Sequence, residues 1–280
     1  MLRRYFAPDL FAGRTVFVTG GGGTINVGIA RGLGELGGQV VLAGRTMERL
    51  DACRDELRAA GIEAKSMYCD VQDIATLDAA LAETEATFGP VDVLICGAAA
   101  NFPAPAEQMT AEGFRKVISV DLLGSFNASR AAFEQLRRTR GNIVFVSATN
   151  AIMPFAFQAH VGAAKAGIDS LMRGLALEWG KYGIRCNSVL PGPIEKTEGL
   201  RRLLTEEDVE VLSGYVPIGR FGTVEDVAGV TAFLASPLAG LLTGVALVAD
   251  GGQYVYFEAA AVIVTLILLG RWLEAGARGR

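Results

Sequence analysis

The feature that most constrains this 280-residue chain is an alternation beginning at Arg14. Short β-branched and apolar runs are separated by longer segments whose apolar positions recur with helical period. Strands are predicted near 14–19, 39–43, 63–69, 91–96, 142–147, 184–190 and 244–248, and helices near 26–37, 47–60, 73–88, 110–138, 158–181, 199–212 and 224–235. Such a pattern implies an α/β fold, because parallel neighbours need a crossover and a helix usually supplies it. No internal repeat and no low-complexity linker interrupts it. Length alone permits one or two domains, and the unbroken pattern argues for a single doubly wound domain within 1–253. With 51% hydrophobic and 20% charged residues the chain can fill a core, which excludes disorder and a coiled coil. The 35 glycines follow no G-X-Y period, so they belong to tight turns and close backbone approaches.

Charge narrows the partners. Lys and Arg total 26 against 30 Asp and Glu, a net charge of −4, so no basic field exists for a nucleic acid. Cys53, Cys69, Cys96 and Cys186 form no CxxC pair and the chain has one His, so no metal site is expected. The start, MLRRYFAPDL, has two Arg but no apolar segment after them. No secretory signal is read there, and a reducing cytoplasm is the expected setting.

The first chemical signal is Val16-Phe17-Val18-Thr19-Gly20-Gly21-Gly22-Gly23-Thr24-Ile25-Asn26-Val27-Gly28. A strand delivers the chain to a glycine-rich turn and a helix starts straight after it. Free N–H groups and the helix dipole then converge where a pyrophosphate fits. At the first βα crossing of a long α/β pattern this points to a dinucleotide and a Rossmann-type domain, the alternative being an ordinary tight turn. The next strand ends in Gly44-Arg45. A carboxylate there would accept from a ribose 2′-OH, whereas Arg45 offers a fork to a 2′-phosphate and so favours NADPH.

Thr19-Gly20…Gly28, Asp70-Val71, Gly97-Ala98-Ala99, Lys165 and Pro191-Gly192-Pro193-Ile194 together resemble the short-chain dehydrogenase/reductase family over about 240 residues. The resemblance implies that Gly20 and Gly28 hold the pyrophosphate and Asp70 reads the adenine. It further implies that Gly97 lies in the cofactor site, that Lys165 holds the nicotinamide ribose, and that Pro191, Gly192 and Ile194 line the nicotinamide. The turn departs from TGxxxGxG by what reads as a two-residue insertion. Two further departures concern catalysis. The family's Tyr, four residues before the Lys, is Val161 here, and its Ser falls on Ala148. The usual proton relay to a carbonyl oxygen is missing.

Periodicity supplies a substitute. The inner face of helix 110–138 runs Phe114, Val117, Ile118, Asp121, and that of helix 158–181 runs Val161, Lys165, Ile168, Met172. Each helix turns one charge inward, and buried charges are tolerated when they meet. A structural salt bridge and a functional pair both satisfy that rule, and perturbed groups cluster at active sites. The pattern resembles the 2,4-dienoyl-CoA reductases, particularly the peroxisomal type, through Ala99-Ala100-Asn101-Phe102, Asp121, His160-Val161-Gly162-Ala163-Ala164-Lys165 and Thr197-Glu198-Gly199-Leu200. That resemblance implies an acyl-CoA substrate, with Asn101 on the thioester oxygen and Asp121 and Lys165 organising a proton-delivering water. It also implies a homo-oligomer, commonly a tetramer. Other readings remain open: another short-chain or enoyl-thioester reductase, or a non-catalytic NADP(H)-binding scaffold.

The last 27 residues break the pattern. Their uninterrupted apolar core, Ala259 to Leu269, is shorter than the ~20 residues a bilayer span needs. Residues 254–280 resemble a transmembrane segment of heavy-metal P-type ATPases, without a Cys-Pro-Cys or DKTG motif. The tail is read either as a fusion with a junction near Tyr254 or as a docking helix, and membrane association is expected only if it is native.

Overall fold

The computed structural model describes residues 2–203 and 205–254. Seven strands, β1 (Thr15–Thr19), β2 (Gln39–Gly44), β3 (Ala64–Tyr68), β4 (Val91–Cys96), β5 (Asn142–Val146), β6 (Arg185–Pro191) and β7 (Ala246–Ala249), form one parallel sheet of order β3-β2-β1-β4-β5-β6-β7. Between them run α1 (Thr24–Glu35), α2 (Met47–Ala59), α3 (Ile74–Phe88), α4 (Ala111–Val117), α5 (Gly124–Thr139), α6 (Ala159–Trp179), α7 (Glu198–Leu203), α8 (Glu206–Ser213) and α9 (Val224–Ala235). The fold is the expected Rossmann-type α/β architecture.

The sheet is covered on both faces, and the period-2 alternation of β1 shows why. Val16 and Val18 join a core with Ile29 and Leu33 of α1, Leu50 and Leu57 of α2 and Val227 of α9. Phe17, between them, points to the opposite core with Leu77 of α3, Leu136 of α5 and Met172 of α6. A strand buried on both sides needs apolar residues throughout, as these strands have.

Two segments read as continuous helices are divided. The predicted 110–138 helix is interrupted by one turn of π-helix, Ile118–Leu123, between α4 and α5. The predicted 199–212 helix is split where Thr205 caps α8, its side chain and that of Asp208 satisfying each other's backbone N–H groups.

β1 pairs with β2 on one side and β4 on the other, and the chain crosses over between β3 and β4. This is the topological switch point, where a crevice opens beyond the C-terminal strand ends. Among the described residues no helix is long and apolar enough to cross a membrane. The tail reading falls on residues 255–280, which lie outside the described residues.

Candidate active site

The crevice is floored by glycines that nothing larger could replace. Gly20 leaves β1 with φ +64°, and a Cβ there would lie 2.7 Å from the Ala98 Cα. A Cβ on Gly21 would lie 2.8 Å from the Leu42 Cα. The loop after β1 therefore meets strand β2 and the loop after β4 almost backbone to backbone. They leave a cleft of about 170 Å³ lined by Gly20, Gly22, Arg45, Arg49, Asp70 and Ala98 among others.

Helix α1 starts at Thr24, directly behind this turn, with Gly23 as its N-cap making no side-chain hydrogen bond. The Val27 N–H donates to the Gly23 carbonyl, so the N–H groups of the preceding first turn have no partner within the helix. The cleft thus joins a cradle that a Cβ would fill, a helix N-terminus and two guanidinium groups, which fits a phosphorylated dinucleotide.

This start corrects two expectations. The helix begins two residues before the predicted start, and counted from Thr19 the second and third glycines of TGxxxGxG fall on Thr24 and Asn26. Gly28 accordingly does not face the cleft. It is buried in α1, where a Cβ would lie 2.7 Å from the Val224 Cβ, so its smallness serves the packing of α1 on α9. Asn26, which the sequence reading passed over, is buried and ties the loops after β1 and β4 together. Its Nδ2 donates to the carbonyls of Gly20 and Gly97, each at 2.8 Å, and Gly97 is small because a Cβ would overlap the Asn26 amide. The Gly97 N–H in turn donates to Thr19 Oγ1 at 3.1 Å.

Asp70 lines the cleft from the end of β3, its Oδ1 accepting from the Gln72 N–H at 3.0 Å. Pro191 ends β6, and Gly192 follows it against Asp250, where a Cβ would lie 2.7 Å from the Asp250 Cβ. Ile194 is buried and bridges Gly222 in parallel, so the segment is pinned at the same sheet edge.

The inward charges meet. Lys165 Nζ lies 3.3 Å from Asp121 Oδ2 and donates to the Val146 carbonyl at 3.0 Å. Asp121, wholly buried, also accepts from the Ala100 N–H at 2.7 Å through Oδ1. It sits within the π turn, a distortion that often marks functional positions, and its carbonyl accepts from Ser125 Oγ at 2.6 Å. Asn101, half-buried, follows Ala100 directly, so the residue beside the pair is fixed through its neighbour's backbone. Phe102 packs on His160 with ring centroids 4.6 Å apart, and His160 is fully buried. At the position of the missing phenol, Val161 packs with Val117 and Ala164.

A second buried carboxylate lies one helical turn beyond Lys165. Burial pushes the Asp169 carboxyl up, against the opposing pull of Ser188, Ser147, Arg173 and Lys165. Its place four residues after Lys165 was a readable signal that the apolar stripe masked. The thiols of Cys69, Cys96 and Cys186 are each pushed up to about 12, chiefly by burial, which leaves them unreactive. Among the described residues no group of three or more His, Cys, Asp or Glu converges to hold a metal.

A sheet with this switch point, a glycine cradle and an inward lysine on α6 define a dinucleotide-dependent oxidoreductase fold. The chain belongs to the short-chain dehydrogenase/reductases: the family described as enoyl-(acyl carrier protein) reductase matches residues 23–253. It is 39% identical to the peroxisomal 2,4-dienoyl-CoA reductase of Saccharomyces cerevisiae, covering 88% of this chain and 86% of that one. It is also 36% identical to an L-rhamnose 1-dehydrogenase of a Sphingomonas strain, covering 89% and 99%. Among solved structures, a gluconate 5-dehydrogenase from Burkholderia cenocepacia, in complex with NADP and tartrate, superposes with a TM-score of 0.82 at 29% identity, covering 88% and 98%. The family match stops at residue 253, and the likeness of the tail to a P-type ATPase segment finds no support in these comparisons.

Proposed function

We propose that the chain reduces an unsaturated acyl-CoA thioester with NADPH, converting a 2,4-dienoyl-CoA to a 3-enoyl-CoA. The observation that carries this reading is the buried Asp121–Lys165 pair beside Asn101, with Val161 and Ala148 where a carbonyl reductase needs a phenol and a hydroxyl. Arg45 in the cleft supports the phosphorylated cofactor, as does the NADP complex of the gluconate dehydrogenase relative. The dienoyl-CoA reductase relatives support the substrate class.

Gly20, Asp70 and Arg45 would hold the cofactor's pyrophosphate, adenine and 2′-phosphate, and Lys165 the ribose next to the nicotinamide. When bound, NADPH supplies a hydride to the far end of the diene. The electron pair so delivered moves towards the thioester oxygen, where the Asn101 amide donates a hydrogen bond. Asp121 keeps Lys165 aimed, and the two hold a water that gives its proton to the carbon next to the thioester, the hydroxide left behind being reprotonated from solvent. The remaining double bond then lies between the third and fourth carbons.

The test is to follow NADPH oxidation with a 2,4-dienoyl-CoA and identify the product. A 3-enoyl-CoA is expected, and Asn101→Ala should cut turnover roughly 10²–10³-fold with little change in cofactor affinity, as for other oxyanion donors. A hydroxyacyl-CoA product would overturn the reading. So would turnover confined to sugars or simple ketones, the chemistry suggested by the rhamnose dehydrogenase relative.

A further inference from the structure

Arg49 stands in the first turn of α2 and lines the cofactor cleft with Arg45 and Thr46. Its Cγ and Cδ cover the glycine turn, each 3.2 Å from where a Cβ on Gly22 would be. Its Nη1 lies 2.8 Å from Oε1 of Glu198, the first residue of α7. The partners are 149 positions apart, so one ion pair ties the adenosine end of the cleft to the helix that follows the Pro191–Ile194 segment. Their side chains are 45% and 54% exposed. A pair this solvated holds weakly, whereas a phosphate dianion offers a guanidinium two parallel charge-assisted bonds. A 2′-phosphate gripped by Arg45 would therefore find a second guanidinium on the same wall of the cleft, already engaged by a carboxylate.

We propose that Glu198 is a specificity-determining residue that competes with the cofactor's 2′-phosphate for Arg49, so that α7 lets go of the cleft as the phosphate is seated. The proposal rests on the NADPH reading above. It makes the discrimination between NADPH and NADH depend on a residue outside the cleft, acting through Arg49.

The experiment is fluorescence titration of NADPH and NADH, without substrate, on the full chain and on Glu198→Gln, Arg49→Gln and the double variant. Glu198→Gln should tighten NADPH about fivefold, the worth of an exposed ion pair, and leave NADH unchanged. Arg49→Gln should weaken NADPH about tenfold, the loss of one charge-assisted contact. In the Arg49→Gln background Glu198→Gln should then do nothing. An equal effect on both cofactors, an effect that persists without Arg49, or no effect on NADPH would each overturn the proposal while leaving the NADPH reading intact. A wild-type chain with no preference for NADPH would overturn both.

Discussion

Taken singly, Asp121 and Lys165 are each costly where they stand; together, with the Ala100 N–H and the Val146 carbonyl, every charge in the pair has a partner. Removing one partner strands the other in the interior. Asp121→Ala or Lys165→Met should thus cost about 3–5 kcal/mol in urea unfolding, as for other buried pairs. Replacing both at once, as Asp121→Leu with Lys165→Met, should recover most of that stability and none of the activity. If the double variant retains turnover, the pair is structural only. The pair was legible in the sequence because both helices carry a charge in an otherwise apolar stripe. Asn26 was not, since its role depends on three carbonyls brought together by β1 and β4, and nothing in the local pattern announces them.

At the level of elements, the sequence located strands well and helix starts less well. Strands are short apolar runs with sharp ends. α1 begins with Thr24, Ile25 and Asn26, whose polar members mask the first turn, and the resulting two-residue shift misassigned Gly28 to the turn. The observed packing predicts that Gly28→Ala overcrowds the contact with Val224 of α9 and destabilises the fold by about 1–3 kcal/mol. Cofactor affinity of the folded fraction should not change. A preferential loss of NADPH binding, with an unaltered melting temperature, would return Gly28 to the phosphate turn. The division between α7 and α8 was readable, because Thr205 and Asp208 spell a capping box. The π turn was not, since one extra residue in a helix barely disturbs a hydrophobic stripe.

For the whole molecule, the alternation implied the fold class but not the strand order, because which strands neighbour each other depends on where the crossover falls. Strand β7 ends at Ala249, and the family match ends at 253, with the two carboxylate oxygens of Asp250 accepting from the Gly252 and Tyr254 N–H groups. A chain truncated after Tyr254 should therefore keep its fold and turnover. Loss of the cooperative thermal transition would show that the tail belongs to the core.

The place of β1 between β2 and β4 also has a kinetic side. Its partners on one side are residues 39–43, but on the other they are 91–96. Contacts distant in sequence form late, because the intervening chain must lose its freedom before they repay it. Gly20 meets Ala98 only through that second pairing. The first βαβ unit can form while Gly20 still lacks Ala98 to pack against, so during synthesis the dinucleotide will select chains that have already grown past β4, and its binding will report completed folding rather than assist its first steps.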